Sequence, residues 1–373
     1  MFKAALRFIV YDKPKSLGAL FGVIISVFLI GQQVGIFIFL TNMMSNLVDH
    51  IDADIWVIDN RSTNANALGQ IAAKYQLETW SIPGVEQTYP LVLSASAAKF
   101  MDGSSGGVTL VGSQAPAFVG GPWNISGGPV TNLLFDNAVT TEFYDSKLLG
   151  NAQLGTHFEI GGKRAWVALQ TRGARGFGAS YVFTTIERAR YLGNFPKDKI
   201  SAVLIKLKPG ANPEETVRLI NKNIYGVKAW TKKDLSAATV KTVLGSSGIA
   251  TSVGTLILFA IISGSIVIGL TLYSAATDRL KDYATLKAIG ATNAYVRNLI
   301  LTQAIIFAAI GFVIAIGLME GFRLGIANAG VMFSYTWLMY AAFAFITILI
   351  SASGAVAAIN RITKVEPASV FRG

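Results

Sequence analysis

Four stretches of the chain are long, apolar and almost free of charged side chains. They comprise residues 17–41, 247–274, 298–319 and 334–360. A helix needs ~20 mainly apolar residues to cross a bilayer, whereas a buried helix of a soluble protein has a shorter apolar run of ~10–14. The first stretch also exceeds the ~7–15 apolar residues of a secretory signal peptide. The pattern therefore predicts four transmembrane helices, the first of which is a retained anchor.

Residues 42–241 separate the first two apolar stretches and have the mixed composition of a soluble domain. Short runs rich in β-branched and aromatic residues predict strands. These runs lie at 55–58, 156–160, 165–169 and 202–207. Gly161-Gly162 predicts a hairpin turn, and Asn212 followed by Pro213 is typical of a helix start. The Gly-rich residues 101–130 predict loops. We expect a large α+β extracytoplasmic domain here.

The basic surplus of the chain is concentrated in its short flanks. The formal net charge is +11, yet only 14% of residues are charged and 52% are hydrophobic, against about 25% charged in soluble domains. Lys and Arg are in excess in residues 1–16, 278–297 and 361–373. Cytoplasmic flanks of membrane helices carry such an excess, so we expect both termini and the 278–297 loop in the cytoplasm. These bases suit anionic membrane lipids, and nucleic-acid binding is not predicted.

The sequence lacks the residue patterns of several enzyme classes. It contains no cysteine, no Gly-x-x-x-x-Gly-Lys-Ser/Thr phosphate loop and no His-Glu-x-x-His zinc motif. We predict no catalytic residue, no metal site and no cofactor bound by this chain. If the protein performs work, a partner must supply the energy.

The first apolar stretch contains a small-residue motif, Gly31-Gln32-Gln33-Val34-Gly35. Glycines four residues apart allow another helix to approach closely, and glutamines can hydrogen-bond across such a contact. The motif fits packing within the subunit and also fits a seam between two copies. Both alternatives stay open.

A basic, glycine-rich segment lies in the predicted α+β domain at residues 172–178, with Arg172, Arg175 and Phe177 as its larger side chains. One interpretation is a solvated surface turn. The other is a contact loop for a partner protein or an anionic substrate.

The 278–297 loop predicts a short helix from Asp278 to Ile289. Leu280, Tyr283, Leu286 (or Lys287) and Ile289 are spaced along one side of it. Gly290 is placed to end the helix, and Thr292 or Asn293 to cap the next one. Two roles fit a short amphipathic helix here: lying on the membrane surface, or docking in a groove of a cytosolic partner.

The loop sequence RLKDYATLKAIGAT, residues 279–292, resembles the loop between the second and third spans of MacB/FtsX-type ABC transporter permeases. The layout agrees, with one span, a large external domain, three more spans and a closing KVEPASVFR at 364–372. Residues 53–57 and 286–293 are most similar to the DevC-like branch. Asp282 stands where the family usually has Glu, and Tyr283-Ala284 replaces its usual apolar-Gly pair.

The resemblance implies a coupling helix seated on a separate ATP-binding subunit, which would hold ATP and Mg. The residues expected at this contact are Asp278, Arg279, Leu280, Lys281, Asp282, Tyr283, Leu286, Lys287, Ile289, Gly290 and Ala291. A complex of two permeases and two ATPases is implied, in which the external domain moves rather than forming a tunnel. DevC-like members imply a periplasmic adaptor, an outer-membrane channel and export of lipids or other hydrophobic compounds.

The resulting expectation is a non-catalytic permease subunit in the bacterial inner membrane. Lipoprotein release, cell division and haem or peptide export are alternatives within the same family. A membrane receptor that signals through the basic loop is an alternative from another class.

Overall fold

A computed structural model describes residues 2–11, 13–178, 180–278 and 280–363. The chain divides into two compact units. The helical unit comprises Met1–Phe39 and Ile249–Gly373, and the α+β unit comprises Leu40–Gly248. Among the described residues, four helices are long and apolar enough to cross a membrane. The predicted fold class, four membrane helices with an α+β domain between the first and second, is confirmed.

In chain order the helices and strands are α1 (Phe2–Tyr11), α2 (Lys13–His50), β1 (Ile55–Asp59), β2 (Ile71–Ala72), α3 (Tyr75–Trp80), β3 (Val85–Lys99), β4 (Ser105–Ser113), β5 (Ile125–Gly127), β6 (Ala138–Glu142), β7 (His157–Ile160), β8 (Lys163–Thr171), β9 (Ser180–Thr185), α4 (Ile186–Leu192), β10 (Lys199–Ile200), β11 (Ala202–Leu207), α5 (Pro213–Asn223), β12 (Val227–Thr231), α6 (Lys232–Ser247), α7 (Ile249–Asp278), α8 (Leu280–Ala288), α9 (Asn293–Ala327) and α10 (Trp337–Thr363).

Three of the membrane helices, α2, α7 and α9, are longer than the apolar stretches that predict them. α2 has 38 residues, which at ~1.5 Å per residue is about 57 Å, well beyond ~30 Å of hydrocarbon. α9 has 35 residues and includes Glu320 and Arg323, two residues that follow the apolar stretch at 298–319. The N-terminal flank, 1–16, contains α1 and the start of α2.

Small residues form several close helix contacts in the helical unit. A Cβ atom added at Gly269 of α7 would lie 3.2 Å from the carbonyl oxygen of Gly354 in α10. Beside this crossing the Ser353 hydroxyl lies 3.0 Å from the Ser265 hydroxyl. Gly264 similarly faces Ser26 of α2. These contacts bring helix backbones together, as small residues do in membrane bundles.

The strands of the α+β unit form a ten-stranded mixed sheet and a two-stranded sheet within the described residues. The main path runs β12-β1-β11-β3-β7-β8-β5. β4 pairs with β3, β9 with β4 and β6 with β8. The first strand, β1, therefore lies between two of the last, β11 and β12, and both pairings are antiparallel.

Several local predictions for this unit are confirmed. β7 and β8 form the hairpin, and Gly161 and Gly162 at its turn have φ of 58° and 73°. Two positive φ values are those of a type I′ turn. Asn212 caps α5, its side chain accepting a hydrogen bond of 2.9 Å from the Glu214 amide.

The prediction of loops throughout residues 101–130 is wrong, because β4 and β5 lie in this segment. β4 lies inside the sheet, antiparallel to β3 and parallel to β9. A Cβ atom added at Gly112 would lie 2.5 Å from Cβ of Ala189 and 3.1 Å from Cα of Ile186, both in α4. Gly112 is thus a strand residue that lets a helix pack on the sheet.

The last turns of α2, from Leu40, belong to the α+β unit and are built into its core. Leu47, Val48 and Ile51 are buried in one cluster with Trp56 and Phe183. The end of the first membrane helix is therefore a structural part of the α+β unit.

We expect Gly112→Ala to lower the free energy of unfolding of the α+β unit by about 1–3 kcal/mol, because the added methyl group collides with α4. Gly107→Ala is the matched control in the same strand, since a Cβ there meets nothing within 4 Å. Denaturant titration of the full chain in detergent, followed by tryptophan fluorescence, measures both. Five of the six tryptophans report on this unit, namely Trp56, Trp80, Trp123, Trp166 and Trp230. Equal stability of the two variants would contradict the packing argument.

Candidate functional site

The loop between the second and third membrane helices forms a short helix, as predicted, but with different limits. Asp278 is the last residue of α7, and α8 begins at Leu280. Arg279 lies outside the described residues. Thr292 caps α9, its hydroxyl accepting a hydrogen bond of 3.2 Å from the Tyr295 amide, while Asn293 is the first residue of α9.

Gly290 ends α8 through its backbone conformation. Its φ is +102°, a value that suits glycine and strains other residues. The Gly290 amide donates to the Lys287 carbonyl (3.0 Å), and the Ala291 amide to the Leu286 carbonyl (2.9 Å). This pair of bonds is a Schellman motif, which satisfies the last carbonyls of the helix. The predicted role of Gly290 in ending the helix is confirmed.

The apolar side of α8 is divided between the interior of the subunit and its surface. Tyr283 is 2% exposed and belongs to the core of the helical unit, and Leu286 packs against that core. Ile289, by contrast, is 77% exposed. Ala284 is buried too, so this departure from the family pattern lies on the inward side of α8.

The outward side of α8 is mostly polar. Its exposed residues are Lys281, Asp282, Thr285 and Ala288, with Ile289 and Gly290 at the end. Asp278 is exposed, and Lys287 and Ala291 are half-buried. Among the side chains that the structure describes here, a partner that docks on α8 would therefore meet charged and small residues around the large apolar side chain of Ile289.

The two glycines of the small-residue motif both take part in packing within the subunit. At Gly31 an added Cβ atom would collide with the Met319 side chain of α9. At Gly35 it would lie 2.5 Å from Cζ of Phe333 and 2.7 Å from the Tyr335 hydroxyl. That hydroxyl donates a 2.7 Å hydrogen bond to the Gly31 carbonyl. These contacts support packing within the subunit for both glycines.

Gln32 and Gln33, the polar residues of the motif, are half-buried on α2. A contact between these glutamines and a second copy of the chain stays a prediction.

The segment at residues 172–178 is held by a buried carboxylate. Glu142 accepts hydrogen bonds from the Thr171 hydroxyl (2.7 Å) and from the amides of Gly173 (2.7 Å) and Ala174 (3.1 Å). Burial raises the pKa of Glu142 above the usual carboxyl range, although the hydrogen bonds from Gly173 and Thr171 act to lower it. The loop is anchored at its first residues.

The side chains predicted as partner contacts in this segment are themselves engaged. Arg175 forms an ion pair with Asp145, with Nη2 and Oδ1 2.6 Å apart. The Arg172 guanidinium lies 4.6 Å from the centre of the Phe143 ring, and Phe177 is half-buried. These contacts hold the segment in place, and its contact with a partner stays a prediction.

Asn46 of α2 holds the same segment from another side. Its side-chain amide donates to the carbonyls of Gly173 (3.3 Å) and Arg175 (2.7 Å). The segment thus links the last turns of α2 to β6 and β8.

Within the part of the chain that the structure describes, no group of three or more His, Asp or Glu could hold a metal ion. A cleft of about 480 Å³ in the α+β unit is lined by Gly106 and Gly107 of β4, by Arg175 of the 172–178 segment, and by Asp145 and Ser180.

Part of the helical unit matches a known protein family. Residues 254–367 match the family model described as FtsX-like permease C-terminal. The resemblance to MacB/FtsX-type permeases stated from the loop sequence is confirmed by this match, and the assignment to the DevC-like branch stays a prediction. No curated protein matches the chain.

Solved structures with similarity to the chain include two domains of transporters. The periplasmic region of MacB from Actinobacillus actinomycetemcomitans is 10% identical, with a TM-score of 0.38, over 54% of this chain and 99% of that one. The extracellular domain of the noncanonic ABC-type transporter YknZ from Gram-positive bacteria is 15% identical, with a TM-score of 0.35, over 48% of this chain and 98% of that one.

We expect Gly35→Ala to destabilise the helical unit by about 1–3 kcal/mol, because the Phe333 ring and the Tyr335 hydroxyl leave no room for a methyl group. Gly31→Ala should cost less, since the flexible Met319 side chain can move aside. The double variant Gly35→Ala/Phe333→Ala should recover part of the loss, and a thermodynamic cycle in detergent measures the coupling. Additive effects of the two substitutions would argue against the contact.

Proposed function

We propose that this chain, whose residues 254–367 form an FtsX-like permease domain, is the membrane subunit of an ABC exporter. It would couple ATP hydrolysis by a separate subunit to movement of the α+β unit. The charge of the flanks supports a bacterial inner-membrane protein with both termini and α8 in the cytoplasm and the α+β unit in the periplasm. The chain itself would hydrolyse no ATP.

The observation that carries this proposal is the division of α8 into a buried inward side and an exposed outward side. Tyr283 and Ala284 are buried, and Tyr283 shares its cluster with Val296 and Leu299 of α9. A force applied to the outward side would reach the membrane helices through these buried contacts, because closely packed interiors transmit strain. A helix embedded in this way suits docking to an ATPase better than lying loosely on the bilayer.

α2 begins in the helical unit and ends in the α+β unit. It is one helix from Lys13 to His50, and its last turns are part of the core of that unit through Leu47 and Val48. Asn46 adds hydrogen bonds to the 172–178 segment. A shift of α2 along or about its axis would therefore carry the α+β unit with it.

We assign lipids or other hydrophobic compounds as the exported class, handled with a periplasmic adaptor and an outer-membrane channel, on the resemblance to the DevC-like branch. A second copy of the chain would complete the transporter with two ATPase subunits. Because Gly31 and Gly35 are occupied by contacts within the subunit, the contact between copies would need other surfaces in addition. Lipoprotein release, cell division and haem or peptide export are the alternatives in the same family.

A membrane receptor that signals through the basic loop shares this topology without needing an ATPase. The two functions are distinguished by whether a neighbouring gene encodes a protein with a phosphate-binding loop, and whether that protein copurifies with the chain. A receptor would bind its ligand and signal without that protein.

We expect Ile289→Asp to reduce transport-coupled ATPase activity by at least about tenfold, because an unpaired carboxylate would be buried at the docking surface. The measurement is ATP hydrolysis by the purified complex in nanodiscs, with complex formation checked by copurification. Leu77→Asp on α3 is the matched control, since Leu77 is a similarly exposed apolar residue (68%) in the other unit.

Leu286 is unsuitable for this purpose, because it packs on the core of its own subunit and an acidic residue there would damage folding. Gly290→Ala tests the helix end instead and should weaken coupling through the strained φ. Normal ATPase activity in Ile289→Asp would reject the docking role. ATP hydrolysis by the purified chain alone would reject the assignment as a non-catalytic subunit.

A further inference from the structure

α1 is an amphipathic helix that the sequence pattern did not predict. Its residues Ala5 and Ile9 face inward: Ala5 is buried and Ile9 packs against the core of the helical unit, in which α1 contacts α9. The helix is therefore fixed by one side to the membrane helices.

A second side of α1 is apolar and yet exposed. Leu6 is 41% and Val10 58% exposed. At 3.6 residues per turn this pair lies about 100° around the helix from Ala5 and Ile9. Leu6 and Val10, together with Arg7 and Tyr11, line a shallow depression of about 590 Å³. Nothing within the described chain fills this depression.

A third side is cationic. Lys3 and Arg7 are exposed and one turn apart, about 60° beyond the apolar pair. An apolar stripe bordered by basic side chains is the pattern of helices that lie in the boundary between lipid headgroups and acyl chains.

The position of α1 along α2 selects the bilayer as the partner. The Ser16 hydroxyl donates a 2.7 Å hydrogen bond to the Ile9 carbonyl. Ser16 is also the first residue of the candidate membrane span, which runs to His50. α1 is therefore held at the level where the chain enters the membrane, where lipid headgroups are the available surface.

We propose that α1 is a lipid-recognition element that lies on the bilayer surface, with Leu6 and Val10 among the acyl chains. Lys3 and Arg7 then bind the headgroups of anionic phospholipids. This proposal needs only the membrane helices and does not rest on coupling to an ATPase.

The absence of cysteine from the sequence makes the test direct. Leu6→Cys and Val10→Cys are each labelled with bimane in the full chain and reconstituted into nanodiscs that contain brominated phosphatidylcholine. Lys222→Cys, at the exposed end of α5, is the control in water. We expect several-fold stronger quenching at positions 6 and 10 than at 222. Quenching at the level of the control at both positions would overturn the proposal, and using two positions guards against one variant that fails to fold.

A second experiment tests whether α1 prefers lipids with an anionic headgroup. Nanodiscs are prepared from equal amounts of phosphatidylcholine and phosphatidylglycerol, and only one of the two lipids is brominated. The bimane probe at position 6 should be quenched more strongly when phosphatidylglycerol carries the bromine. Lys3→Gln and Arg7→Gln should each reduce the preference by about fivefold, as expected for one basic residue near the surface. Inorganic phosphate at millimolar concentration should leave the preference intact if the lipid headgroup is the ligand. An unchanged preference for phosphatidylglycerol in the double variant Lys3→Gln/Arg7→Gln would reject the role of Lys3 and Arg7.

Discussion

Close approach of helix backbones is the interaction on which the helical unit depends. In a lipid environment apolar helices gain little hydrophobic energy by packing on one another, so dispersion contacts and hydrogen bonds must hold them. Gly269 and Gly354 bring α7 and α10 together, and Gly31 and Gly35 admit Met319 and Phe333 beside α2. A larger side chain at Gly269 or Gly354 would meet the backbone of the facing helix, whereas at Gly31 the flexible Met319 side chain can move aside.

Both proposed contacts of the helical unit use side chains that this packing leaves outside. Ile289 directly after α8 and Leu6 on α1 are exposed, while Tyr283 on α8 and Ala5 on α1 are buried in the same cluster. The buried member fixes the helix and the exposed member is free for a partner. The partner differs in the two cases, an ATPase surface for α8 and lipid for α1.

Features that depend on neighbouring residues were predictable from the sequence, and features that depend on distant contacts were not. The four spans, the Gly161-Gly162 turn and the Gly290 helix end each follow from local composition. The strand at Gly112 was missed because its glycine is explained only by α4 packing across it. The direction of Ile289 and the ion pair of Arg175 with Asp145 likewise depend on residues far away in the chain.

The pairing of β1 between β11 and β12 has a consequence for biosynthesis. β1 is synthesised before the other strands of the sheet, but its neighbours β11 and β12 end only at Leu207 and Thr231. The sheet therefore cannot close until nearly the whole α+β unit has been synthesised, and contacts between distant segments form slowly. During that interval the buried residues of β1 are exposed to aggregation. The exposure of β1 therefore ends only once β11 and β12 have been synthesised and have paired with it.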